Sequence, residues 1–126
     1  MSAFLSEEWI NEYAQEWNRN EKLKDGLKNF TATIKYSIEG NPQEPVYLQV
    51  ENGEVTKSGI APNMNYDFEM WATLDNWKTI ATGKMGPKAA MLTKKLKFKG
   101  SMVTAMKYMG AFEESLRMMG RIPTEW

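Results

Sequence analysis

Between Asn76 and Phe112 the chain carries eight lysines and neither aspartate nor glutamate. The same stretch holds Met85, Met91, Met102, Met106 and Met109. Ammonium groups attract phosphates and anionic surfaces, while the flexible thioether of methionine conforms to apolar shapes that vary. A surface combining the two suits a lipid or an acyl chain with an anionic head. Other chemistry has little to work with. The chain has no cysteine and no histidine. Disulfides, thiolate metal sites and cysteine or serine–histidine nucleophiles are therefore excluded, and the commonest general base and metal ligand is missing. An enzyme would depend on lysine, carboxylate or tyrosine alone. The carboxylate pairs Glu7/Glu8, Glu113/Glu114 and Asp67/Glu69 read as solvated faces, and no phosphate-binding glycine motif occurs. No catalytic residue, cofactor or metal is expected.

The elements that position these residues belong to one domain, 1–126, a length that can bury about two-thirds of its unfolded surface. Hydrophobic residues make up 42% and charged residues 25%, ordinary values for a soluble globular protein. The net charge is zero but unevenly spread. Residues 1–75 hold thirteen acids and six bases, a net of −7, against +8 for residues 76–112. The balanced total argues against nucleic-acid binding. No segment is apolar enough to span a membrane and no signal-peptide pattern opens the chain, so a cytoplasmic location is expected.

Ser6-Glu7-Glu8 has a capping hydroxyl and two acids in a first turn, and Trp9, Ile10, Tyr13 and Trp17 follow at helical spacing. This helix should reach about Asn20, with a short second one over Glu21–Asp25 stopped by Gly26. Phe30–Glu39 alternates strictly between apolar and polar residues, the pattern of an antiparallel strand with one wet face. Val46–Glu51 and Glu54–Lys57 flank Asn52-Gly53, a type I′ hairpin signal. Tyr66–Thr73 is a fourth strand, with Trp71 on its polar face. Asp75 is placed as the cap of a helix carrying Trp77 and Ile80, and Pro87 opens another over Pro87–Leu92. Lys95–Lys99 is a fifth strand, with Leu96 and Phe98 inward and Lys95, Lys97 and Lys99 outward. The last helix carries Met102, Met106, Met109, Phe112, Leu116 and Met119 as an inward stripe, with a kink at Gly110.

Two features admit two readings each. The outward lysines either discourage edge-to-edge pairing or meet an anionic head group or leaflet. The methionine stripe is either plain core or the wall of a cavity that accepts varied ligands.

Thr82–Tyr108, TGKMGPKAAMLTKKLKFKGSMVTAMKY, resembles the C-terminal half of sterol carrier protein domains, the nonspecific lipid-transfer family. The matching residues are Thr82, Gly83, Lys84 and Met85 in a turn, Lys95, Leu96, Lys97 and Gly100 in a strand, and Met102, Ala105, Met106 and Lys107 in a helix. The chain departs from the family pattern at Lys94, where a glycine is usual. The resemblance implies an α+β fold: a five-stranded, mainly antiparallel sheet covered on one face by helices, with an apolar tunnel between them. It implies a carrier rather than an enzyme, holding a fatty acid, fatty acyl-CoA or sterol with low selectivity. A monomer or weak homodimer is expected. The residues expected to line the tunnel are Phe68, Met70, Ile80, Met85, Met91, Leu92, Phe98, Met102, Met106, Met109 and Phe112. By resemblance Met102 and Met106 lead this set. A transient contact with an anionic membrane surface is a further expectation. The alternative is an accessory module of the same fold whose core is filled by side chains.

Overall fold

A computed structural model describes residues 1–126. In chain order the elements are β1 (Ser2–Ala3), α1 (Glu7–Arg19), α2 (Glu21–Gly26), β2 (Ala32–Ile38), β3 (Val46–Glu51), β4 (Glu54–Ile60) and β5 (Phe68–Ala72). They continue with α3 (Leu74–Ala81), α4 (Pro87–Leu92), β6 (Lys97–Gly100), α5 (Met102–Lys107), α6 (Met109–Met118), a 3₁₀ turn (Met119–Arg121) and β7 (Thr124–Glu125).

The central sheet has the order β4-β3-β2-β5-β6. Its neighbours run antiparallel except β2 and β5, which pair in parallel. Alternation decides which face is dry. Ala32, Ile34, Tyr36 and Ile38 of β2 are buried while Thr33, Lys35 and Ser37 are half exposed, and β5 buries Phe68, Met70 and Ala72 in the same way. The buried faces and the helices share one core of 32 residues. Asn52 and Gly53 both have positive φ, 50° and 85°, as a type I′ turn requires.

Helix α1 is fixed at both ends. Ser6 Oγ accepts from the Trp9 N–H at 3.2 Å, and Asn20 terminates α1 while capping α2 through the Leu23 N–H. The buried face of α1 presents Trp9, Tyr13 and Trp17, all fully buried. Burying an indole is favourable only if its N–H finds a partner. Each buried tryptophan does so at 2.9 Å: Trp9 to Thr124 Oγ1, Trp17 to the Gly53 carbonyl and Trp77 to the Ser37 carbonyl.

Several boundaries differ from the sequence expectation, each for a local reason. β4 runs to Ile60 rather than Lys57 because its register with β3 carries on to Val46, after an irregularity at Gln49/Val50. The cap of α3 is Thr73, whose Oγ1 accepts from the Asn76 N–H at 3.2 Å, and Asp75 stands in the first turn instead. β6 begins at Lys97 because the preceding residues cap α4: the N–H groups of Lys95 and Leu96 both donate to the Ala90 carbonyl. The last helix breaks at Tyr108 rather than Gly110. Tyr108 leaves helical geometry and its ring packs edge-on against Phe30 at 5.1 Å. The two terminal strands, β1 and β7, pair in parallel, and Trp126 stacks on Phe4 at 4.5 Å.

Candidate functional site

The break at Tyr108 separates two helical faces that the sequence joins in one stripe. α6 turns Phe112 and Leu116 into the core, whereas α5 buries only Ala105. Met102 and Met106 do not point inward as expected. They are 52% and 61% exposed, and Val103 and Leu92 are more exposed still. The apolar edge formed by α4, the turn after it and α5 is therefore open to solvent.

A groove of about 430 Å³ opens beside it, lined by Trp71, Met91, Leu92, Lys94, Leu96, Lys97, Phe98 and Met102. Its size falls within the range of small-molecule sites, about 300–1,000 Å³. Behind it lies a small enclosed space lined by Met70, Pro87, Met91, Phe98, Met109, Phe112, Glu113 and Leu116. Met91 and Phe98 line both and form the wall between them. The enclosed space is only about 10 Å³, roughly that of one water-sized probe. Side chains thus fill the region where a tunnel was expected. Phe68 packs against Phe30, Phe98 and Phe112 with ring centroids 5.6–5.9 Å apart. On the far side of Phe68 a polar cleft of about 290 Å³ is lined by Asn29, Thr31, Asp67, Ser101, Thr104 and Tyr108 among others.

Of the residues expected to line a tunnel, Met91, Leu92, Phe98 and Met102 meet in the groove, and Met70, Met109 and Phe112 join Met91 and Phe98 around the inner space. Phe68 lines the polar cleft and packs against Phe98 and Phe112 of the inner space. Ile80 is core, Met85 packs against the core, and neither borders the groove or the spaces behind it. Met106 lies outside them as well. Trp71, Lys94 and Leu96 were not among the expected site residues. Trp71 carried a signal, since a tryptophan on the wet side of a strand has no core to fill.

The backbone of the groove is specified at two points. Gly100, with φ of 147°, pairs with Phe68 so closely that a Cβ there would stand 2.7 Å from the Asp67 carbonyl oxygen. Lys94 has φ of 60° and follows α4 in a Schellman arrangement: its N–H donates to the Met91 carbonyl at 3.2 Å, and that of Lys95 to Ala90 at 2.9 Å. This is a position that glycine usually fills. A left-handed lysine costs about 1 kcal/mol or more.

The cations around the groove are not equivalent. On the outer sheet face Lys97 pairs with Glu39 at 2.6 Å, and Lys99 and Lys35 both approach Glu69. The outward lysines of β6 are thus answered by Glu69 of the neighbouring strand β5 and by Glu39, one residue past the end of β2. Lys94 has no acidic partner. The titratable groups shifted by their surroundings lie elsewhere. Burial pushes the Tyr13 and Tyr36 hydroxyls up, with Tyr13 donating to the Ser115 carbonyl at 2.7 Å. The hydrogen bond from Arg121 holds the Glu114 carboxyl below its usual range, with help from Asn20 and despite burial. That cluster ties α6 to the α1–α2 junction. No group of three or more acids is placed to hold a metal ion, and no helix is long and apolar enough to cross a membrane.

The five-stranded sheet with helices on its dry face is a fold shared with solved sterol carrier protein structures. A crystal structure of sterol carrier protein 2 superposes with a TM-score of 0.86 at 18% identity, covering 95% of this chain and 99% of that one. A solution structure from Thermus thermophilus, described as possibly a sterol carrier protein, gives 0.81 at 18% identity, covering 97% and 91%. A sec-alkylsulfatase from Pseudomonas contains the fold as a fraction of a larger chain, with a TM-score of 0.52 at 20% identity over 70% of this chain and 14% of that one. The model of the SCP-2 sterol transfer family matches residues 10–113, and the chain belongs to that family. A search of curated proteins gave no match.

Proposed function

We propose that the whole chain acts as one lipid-carrying domain, which holds a fatty acid, fatty acyl-CoA, sterol or similar apolar ligand with low selectivity and catalyses nothing itself. The observation that carries this reading is the wall of two side chains, Met91 and Phe98, that the open groove shares with the inner space. Both side chains border the open groove, so a chain entering there extends the site inward by displacing them. Methionine, with three rotatable bonds, adapts at low cost. Burying about 16 carbons yields roughly 12 kcal/mol gross, at about 0.8 kcal/mol per methylene. Association costs consume several kcal/mol of this, which leaves micromolar or tighter binding with little discrimination of chain length.

The exposed Leu92, Met102, Val103 and Met106, set among Lys88, Lys94, Lys95 and Lys107, suit transient contact with an anionic leaflet during loading. A cytoplasmic carrier working as a monomer or weak homodimer fits this mode of exchange. The test is displacement of a fluorescent fatty acid, together with native mass spectrometry of protein purified from cells. Binding in the micromolar range, lost in Met91→Asp with the thermal melt preserved, supports the carrier. Absence of bound lipid and of displacement at high micromolar concentration contradicts it.

A specific observation favours the second reading, an accessory module with a closed core. The enclosed space holds about 10 Å³ and the Phe30, Phe68, Phe98 and Phe112 rings pack into one another. The same displacement experiment separates the two.

A further inference from the structure

We infer that Lys94 is the head-group residue of the groove, selecting amphiphiles with an anionic head over neutral ones of equal chain length. The inference rests on the lipid-carrying reading above and goes beyond it by assigning one side chain to one part of the ligand. Three independent observations meet at this residue. The first is conformational. Lys94 sits with φ of 60° at the position after α4 where a Schellman turn favours glycine. Stability alone therefore argues against a lysine there, and a strained residue retained beside a cavity points to a role for its side chain.

The second is its place. Lys94 lines a groove whose other walls are six apolar side chains and Lys97. A ligand with its tail against Met91, Phe98 and Met102 shares the groove with these two lysines. The third is charge. Lys97 is already paired with Glu39 at 2.6 Å, a short contact that satisfies it. Lys94 is free of any acid, and the sequence from Asn76 to Phe112 supplies none nearby. An apolar wall with one unpaired cation at its rim is complementary to a single-chain amphiphile bearing a carboxylate or phosphate.

The test compares dodecanoate with 1-dodecanol at pH 8, where the acid is ionised, by displacement of a neutral fluorescent probe. The wild-type protein should prefer dodecanoate by about three- to ten-fold, the range of a partly exposed ion pair reinforced by a charged hydrogen bond. Added salt should narrow this preference and leave dodecanol affinity alone. Lys94→Gly should abolish the preference, keep dodecanol affinity, and raise Tm by about 2–4 °C by relieving the left-handed strain. Lys94→Gln should abolish the preference with no gain in Tm, while Lys107→Gln should keep it. Equal affinity for acid and alcohol in the wild type, or a preference that survives both Lys94 variants, overturns the assignment and leaves the carrier reading standing. Binding of neither compound overturns both.

Discussion

The two ends of the dry sheet face are built differently. Under α1 the core is aromatic and closed: Trp9, Tyr13, Trp17, Tyr36 and Trp77 are fully buried, each indole N–H is hydrogen-bonded, and the Tyr36 hydroxyl alone is buried without a partner. Under α4 and α5 the core is rich in methionine and only partly covered, with Leu92, Met102, Val103 and Met106 in solvent. Tryptophan specifies one packing because it is large and its N–H demands one partner. Methionine specifies several. The first end can therefore act as a frame, and the second as the part that rearranges around a ligand without unfolding the rest.

Substitutions should separate the two ends by the size of their effects. Trp17→Ala removes a fully buried indole and its bond to Gly53, and should cost about 4 kcal/mol in urea unfolding. Met106→Ala at the open end should cost less than about 0.5 kcal/mol. Equal costs would break the contrast. Gly100→Ala places a methyl group against Phe68 and the Asp67 carbonyl with φ still positive. It should cost about 2–3 kcal/mol and weaken ligand binding, because Phe68 supports the wall behind the groove.

A smaller effect than at Trp17 or Gly100 belongs to the Glu114 cluster at the frame end. Arg121 and Asn20 favour its charged form, so its carboxyl titrates below the ordinary value of 4.5 in the folded chain. Its stabilisation is full above that value and is lost as pH falls through the folded pKa. Glu114→Gln should lower stability by about 1 kcal/mol at pH 7. The difference from wild type should shrink as the pH falls below the ordinary carboxyl value of 4.5. Ligand affinity should not change in this variant, since the cluster is remote from the groove.

Much of the frame was legible in the sequence because its signals are local and periodic. The alternation of Phe30–Glu39, the Ser6 cap and Asn52-Gly53 each state an element within a few residues. β1 and β7 were not legible, since two-residue strands have no period and take their structure from each other. The candidate site was legible in part. The spacing of Met102 and Met106 marks a helix face but cannot say which way that face turns after Tyr108 leaves the helix. At the break Tyr108 packs against Phe30, a residue far off in the chain. Trp71 showed as an anomaly on its strand, and Lys94 as a departure from glycine, yet only the three-dimensional turn brings both to one groove.

The central claim, that the methionine-rich end receives the ligand while the aromatic end stays fixed, is tested most directly by methyl NMR of the ten methionines. In a titration with dodecanoate, Met70, Met91, Met102 and Met109 should show saturable shifts, with Met64, Met118 and Met119 unmoved. Shifts concentrated at Met118 and Met119, or no saturable shift at any methionine, would contradict it.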